Sequence, residues 1–179
     1  MRGVKILLIS GSLRASSSNG TLLRALPLLA PPGCAFSFRA PLDGLPFFNP
    51  DVEEAGPPPP VAAWRAEIRE HDALVICSPE YAHGVPGVLK NALDWLVGGV
   101  ELSDKPTAVI NTALPSATAH ASLVETLRVM GARLVPEACV EFALRGRKLD
   151  ADGIASDPEL SPLLLSALRA LVRSTESSA

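Results

Sequence analysis

Residues Gly11-Ser12-Leu13-Arg14-Ala15-Ser16-Ser17-Ser18-Asn19 gather hydroxyls, a side-chain amide, a guanidinium and backbone N–H groups where an apolar run gives way to a helical pattern. Such a set suits an oxyanion. A terminal phosphate there would gain N–H bonds and a helix-dipole contribution of ~0.3–1 kcal/mol, with a charge-assisted bond from Arg14. The same composition also describes a Ser-rich capping loop, because Ser and Asn cap helices for structural reasons alone, and the residues by themselves leave both readings open. No G-x-G-x-x-G and no G-K-[ST] is present, which argues against a dinucleotide cradle and a P-loop. A phosphomonoester, held laterally by hydroxyls and needing no neighbouring metal, fits better.

The elements that must position this loop can be read from periodicity. Val4 to Ile9 is nearly all apolar, as a strand buried on both faces is, and Leu22, Leu23, Leu26 and Leu29 then recur at helical spacing behind Ser17, Ser18 and Asn19 as candidate caps. Ala35 to Arg39 alternates like a strand near a sheet edge. The proline-rich stretch 41–60 reads as a fixed surface connection, and Val61, Trp64 and Ile68 mark a short amphipathic helix. Ala73 to Cys77 is a third strand, followed by the unusual loop Ser78-Pro79-Glu80-Tyr81-Ala82-His83-Gly84. Pro86 opens a helix striped by Val88, Leu89, Ala92, Leu93 and Leu96, which Gly98-Gly99 should end with positive φ. Thr107 to Ile110 is a fourth strand, trailed by a polar loop from Asn111 to His120.

Leu123, Leu127 and Met130 mark a further helix closed by Gly131, and Leu134-Val135 with Cys139 to Phe142 form a fifth strand that Pro136 interrupts. The last helix carries Leu164, Leu168, Leu171 and Val172. Either Asp157-Pro158 or Ser161-Pro162 starts it, since each pairs a capping residue with a proline. Five strands alternating with five helices imply an α/β fold with a parallel sheet covered on both faces. Ligands in such sheets bind beyond the carboxyl ends of the strands, so the loops after strands one, three and four carry the functional expectation.

The 179 residues are 47% apolar and 20% charged, which suits one folded domain over 1–179 and excludes the composition of a disordered chain. With 16 basic and 19 acidic residues the formal charge is -3, and no basic patch suggests a nucleic-acid partner. No apolar run is long enough for a bilayer, nor does the start read as a signal peptide, so no membrane partner is expected. Cys34, Cys77 and Cys139 lie far apart and form neither a disulfide framework nor a zinc pattern, which points to a reducing cytoplasm.

Two segments resemble one family. Ile9-Ser10-Gly11-Ser12-Leu13-Arg14 with Ser17 and Asn19 is similar to the G-S-L-R-x-x-S-x-N phosphate loop of the NADPH-dependent FMN reductases, a flavodoxin-like family that includes quinone, azo and chromate reductases. The run from Pro79 through Trp95 resembles that family's P-E-Y-N-x-x-x-P-G-x-L-K-N-A-I-D-W. With Asp150-Ala151-Asp152-Gly153 and Asp157-Pro158 the similarity spans nearly the whole chain. The resemblance implies a flavodoxin-like three-layer sandwich with a five-stranded parallel sheet in the order 2-1-3-4-5. It implies FMN as cofactor, NADPH or NADH as reductant, and a homodimer or homotetramer. Ser12, Arg14, Ser17, Ser18 and Asn19 would hold the FMN phosphate, and Pro79, Glu80, Tyr81, Ala82, His83 and Gly84 would border the ring, with Ser116 on a further wall. Ala82 stands where the family often has Asn, which leaves backbone amides to bond the flavin, and Leu114 to His120 lacks the family's Gly-Gly.

A nicotinamide would stack on the open face of the ring, pass a hydride to N5 and leave, after which a small acceptor such as a quinone would take its place. Ping-pong kinetics at a shared site follow. No protein acid is required, and His83 is the one catalytic candidate: it either donates to an acceptor oxygen or simply faces solvent. His120 is a weaker candidate, and with His71 on a surface helix the three histidines lack metal-ligand spacing, so no metal is expected. Glu80 and Tyr81 order the loop or reach a partner subunit, and Tyr81 either stacks near flavin or packs structurally. Trp95 lies off its helix's apolar stripe, which predicts a dimer interface along that helix. Lys90 and Asp94 form a solvated or interfacial pair, and Cys77 belongs to the core. The competing readings are an electron-transfer or non-catalytic FMN-binding flavoprotein and a phosphate-ligand module without redox chemistry.

Overall fold

A computed structural model describes residues 3–39, 41–115, 117–144 and 146–176. Its sheet consists of β1 (Val4–Ser10), β2 (Cys34–Phe38), β3 (Ala73–Cys77), β4 (Pro106–Ile110) and β5 (Arg133–Leu134), ordered β2-β1-β3-β4-β5 and parallel throughout. The α-helices among the described residues are α1 (Ser18–Ala25), α2 (Pro50–Glu54), α3 (Pro59–Glu70), α4 (Gly87–Asp94), α5 (Thr118–Val129), α6 (Ala151–Ser156) and α7 (Leu160–Glu176).

Period-2 alternation divides the core into two layers. Ile6, Leu8, Val75, Cys77, Ala108 and Ile110 face α1, α6 and α7, where Leu22, Leu23, Ile154, Leu164 and Leu168 meet them. Leu7, Ile9, Leu74, Ile76 and Val109 face α3, α4 and α5, against Trp64, Ile68, Leu89, Leu93 and Leu127. Because helices cover both faces, β3 and β4 are buried at every position, and each enclosed Leu or Ile contributes roughly 1.5–3 kcal/mol over exposure. Outside this central pair the edge strand β2 is half exposed, as its alternation suggested. The sheet order reverses direction between β1 and β3, whose last residues Ser10 and Cys77 stand side by side. The crevice above them is where the loops after β1 and β3 meet.

Several details depart from the periodicity. Trp95 is not at a subunit surface: its ring is fully buried, its Nε1 donates to the Pro46 carbonyl at 2.8 Å, and Phe48 meets it edge-on at 5.0 Å. Asn91 clamps the same stretch, accepting from Phe48 N at 2.8 Å and donating to Pro46 O at 2.9 Å. The proline-rich connection is therefore the cover that Trp95 requires. Helix α4 stops at Asp94 rather than at Gly98-Gly99, and neither glycine has positive φ. Arg65 reaches the helix end and donates to the Trp95 carbonyl at 2.9 Å from Nε, satisfying a group the helix leaves open.

His71 is buried rather than on the surface, with its ring Nδ1 2.7 Å from the Glu67 carbonyl at the end of α3. Thr118 to His120 already form the first turn of α5, so the polar loop after β4 is shorter than the sequence suggested. Two short helices had not been expected: α2, capped by Asn49 through its bond from Asp51 N, and α6, capped by Asp150 through its bond from Gly153 N. The fifth strand ends at Leu134, Pro136 starts a short 3-10 turn, and Cys139 to Phe142 does not resume the strand as expected but makes only an isolated bridge from Glu141 to Asn111. Asp157 starts the last helix, accepting from Glu159 N at 3.0 Å and Leu160 N at 2.9 Å.

Candidate functional site

The turn after β1 is folded on its own polar groups. Ser12 N donates to Ser10 Oγ at 3.1 Å, Arg14 N donates to Ser12 Oγ at 3.3 Å, and Ser17 N donates to the Arg14 carbonyl at 3.1 Å. Gly11 N donates to the Cys77 carbonyl at 2.9 Å, joining the turn to the end of β3. A Cβ on Gly11 would lie 2.5 Å from Ser78 Oγ and 2.9 Å from Ser78 Cβ, so only glycine lets the two loops come this close.

Ser17 occupies the N-cap position of α1, yet its hydroxyl caps no helix N–H. The residue is buried, Ser12 is half buried, and Arg14 and Ser18 are exposed. No acidic residue lies in the first turn of α1, and among the described residues no carboxylate pairs with Arg14. Hydroxyls, free helix N–H groups and an unpaired guanidinium thus surround one helix terminus without an opposing charge. These residues fit a compact phosphate dianion. Asn19 is 4% exposed, and its Oδ1 accepts from Cys77 Sγ at 3.0 Å and Thr112 Oγ1 at 2.9 Å.

The loop after β3 closes on itself through reciprocal bonds, Tyr81 N to Gly84 O at 3.1 Å and Gly84 N to Tyr81 O at 2.9 Å. Ala82 and His83 fill its corners at φ 50° and 62°, the left-handed pair that such a turn demands. Tyr81, Ala82 and His83 are exposed, while Pro79, Glu80 and Gly84 are half buried. Exposure of Tyr81 removes the structural-packing alternative for its ring. Glu80 orders the loop: Oε1 lies 2.9 Å from His83 Nδ1, and Oε2 accepts from Ala119 N at 2.9 Å.

Beyond β4, Asn111 and Thr112 are buried, and Asn111 Nδ2 donates to Glu141 Oε2 at 2.8 Å. His120 Nε2 lies 3.9 Å from Glu141 Oε1; burial holds the imidazole below its ordinary pKa, and the nearby carboxylate opposes that shift only in part. A narrow recess bordered by Ser78, Pro79, Glu80, Asn111 and His120 separates this group from the loop after β3. Ser116 lies outside the described residues. Asn111 and Thr112 had been read only as part of the polar loop after β4, and Glu141 only as part of the fifth strand, none with a role of its own. The first two carried a signal, polar residues directly after an all-apolar strand, whereas Glu141 reaches the site only because its segment bridges to Asn111.

Cys77 is no nucleophile, since its fully buried thiol is pushed far above the ordinary range. What the loops offer is an uncapped helix start beside an unpaired guanidinium and, next to it, a firmly braced but exposed turn. A parallel sheet in the order 2-1-3-4-5 with such a turn at its switch point defines a flavodoxin-like nucleotide-binding protein. More narrowly, the chain belongs to the NADPH-dependent FMN reductase family, which it matches over residues 4–144.

It is 35% identical over 173 residues to an NAD(P)H-dependent FMN reductase of Pseudomonas aeruginosa, covering 94% of this chain and 93% of that one. A probable NADPH:quinone oxidoreductase of rice, Oryza sativa subsp. japonica, is 34% identical over 169 residues, 88% of this chain and 84% of the other. Among solved structures, the flavoenzyme NAD(P)H:(acceptor) oxidoreductase FerB of Paracoccus denitrificans superposes with a TM-score of 0.82 at 29% identity, covering 97% of this chain and 98% of that one.

Proposed function

We propose that this family member is an FMN-dependent oxidoreductase that takes electrons from NADPH or NADH and delivers them to a small acceptor of the quinone type. The observation that carries the reading is the helix terminus with no opposing charge, where Ser12, Arg14, Ser17, Ser18 and Asn19 would hold the FMN phosphate. The braced loop Pro79 to Gly84, with Ser116 opposite, would border the ring. Bound FMN supplies the two-electron chemistry.

The protein's part is to hold and expose. The open backbone N–H groups at the start of α1 and the Arg14 guanidinium would bind the tail, while the reciprocal Tyr81–Gly84 bonds keep the ring-side backbone fixed. With Nδ1–H donated to Glu80, His83 presents Nε2 to the outside, where it accepts a proton as neutral imidazole and gives one to an acceptor oxygen only as imidazolium. Nicotinamide and acceptor take turns at one exposed face, which gives ping-pong kinetics.

The 179 residues act in this reading as one domain, in the cytoplasm, and as a homodimer or homotetramer. Assembly is supported by Phe47 and Val97, large apolar side chains left exposed near the buried Phe48–Trp95 contact. The test is a titration of the purified protein with FMN, followed by NADPH oxidation with benzoquinone as acceptor. Retention of yellow FMN and steady turnover are expected; a protein that stays colourless through the titration overturns the reading.

A further inference from the structure

We propose that Cys77 and Thr112 are positioning residues that fix the orientation of the Asn19 amide, making it a standing N–H donor to the phosphate ester at the start of α1. The inference rests on the phosphate reading of that turn. Asn19 is the second residue of α1 and almost fully buried. Its amide has two ends of nearly equal shape, one that only accepts and one that only donates. Two donors from different elements converge on the accepting end: the Cys77 thiol at 3.0 Å, from the last position of β3, and the Thr112 hydroxyl at 2.9 Å, from just beyond β4.

Rotating the amide by half a turn would set its NH2 against sulfur, a weak acceptor, leave the thiol proton without an acceptor and turn the Thr112 hydroxyl from donor to acceptor. The orientation is therefore locked with Oδ1 inward. Nδ2 is left over and donates to no described residue. Nδ2 is the part of this amide that still reaches solvent, and an anion at the helix terminus would accept from it. Burial raises the Cys77 pKa, so the thiol keeps its proton, and hence its role as donor, across the neutral range. One oxygen atom thus gathers the turn after β1, the end of β3 and the segment after β4. The specificity that follows is for a phosphate monoester over the same ligand without its phosphate.

The experiment compares FMN and riboflavin dissociation constants, by flavin fluorescence quenching, for the wild type, Thr112→Val, Thr112→Ser, Cys77→Val, Cys77→Ser and Arg14→Ala. Thr112→Val and Cys77→Val should each weaken FMN about tenfold and leave riboflavin within about twofold, whereas the two Ser variants, which keep a donor, should bind FMN as the wild type does. Equal losses for both flavins, or no loss of FMN in either Val variant, would overturn the inference. Should one Val variant fail to fold, the other decides. Arg14→Ala separates the two levels of argument: if it loses FMN selectively while the Val variants do not, the phosphate reading stands and the lock falls. If Arg14→Ala weakens both flavins alike, the phosphate reading itself falls.

Discussion

Glu80 in the loop after β3 accepts a 2.9 Å hydrogen bond through Oε2 from the backbone N–H of Ala119, in the first turn of the helix that follows β4. Helix α5 has no side-chain cap of its own, because Ala117 stands at its N-cap position. A carboxylate from a different loop takes over that role, and its charge complements the helix dipole. Its other oxygen holds His83, so one residue braces two walls of the recess beside the proposed ring site.

Glu80→Ala should therefore act on stability and on both flavins alike. Loss of the cap corresponds to ~0.5–2 kcal/mol, and a protein of this size loses roughly 2–4 °C in Tm for each kcal/mol. Thermal unfolding checks the first effect, and FMN and riboflavin titrations the second. A variant that lost FMN alone would show Glu80 to act on the phosphate instead.

Ala82 holds φ 50° without the local hydrogen bonding that makes this region tolerable for Asn. A left-handed residue with a Cβ costs roughly 1–2 kcal/mol. Ala82→Asn should recover a good part of that, raising Tm by about 2–4 °C. Ala82→Gly relieves the same strain but adds freedom to the unfolded chain, so it should raise Tm less. Thermal melts of the two variants side by side test the order; a lower Tm for Ala82→Asn would mean that contacts at this corner outweigh the backbone.

The fold was legible in the sequence wherever burial is uniform. β1, β3 and β4 are enclosed on both faces, so their apolar runs could have no other partner, and the helices beside them carry strong stripes. Legibility failed where a residue's cover comes from far along the chain. Trp95 looked unpartnered because Pro46 and Phe48, which enclose it, lie in a stretch with no periodicity at all. His71 looked exposed because its place at the end of α3 hides the packing around it. At the site, the types and order of Ser12, Arg14, Ser17 and Asn19 could be read directly, but not that the Asn19 oxygen faces inward. That depends on Cys77 and Thr112 arriving from other strands, which no local pattern encodes.

His120 makes stability depend on pH in a stated direction. Burial lowers its folded-state pKa below the ordinary 6.5, and Glu141 at 3.9 Å offsets this only in part. The unfolded chain then binds the proton more readily than the folded one. Its contribution is fully present above pH 6.5 and is lost as pH falls from there through the depressed folded value. Urea unfolding between pH 8 and pH 5 should show this decline, and His120→Gln should flatten it. An unchanged slope in the variant would assign the decline to other groups.

Gly11 and Ser78 should be coupled energetically, because the turn after β1 and the loop after β3 touch at this pair. A Cβ at position 11 would sit 2.5 Å from Ser78 Oγ, 2.9 Å from Ser78 Cβ and 3.1 Å from Leu89 Cδ2, so Gly11→Ala must push the loops apart. Overpacking of this kind costs ~1–3 kcal/mol. Ser78→Ala removes the nearest of the three atoms while leaving its own Cβ in place, so it should offset part of the cost and not all of it. In a double-mutant cycle of unfolding free energies, the pair should be less destabilised than the sum of the single variants by at least about 0.5 kcal/mol. FMN affinity should follow the same pattern, since the loops proposed to hold the tail and to border the ring meet at this contact. Strict additivity would mean that the strain is relieved elsewhere, by movement of Leu89 and the start of α4, and the two loops would then be free to shift independently.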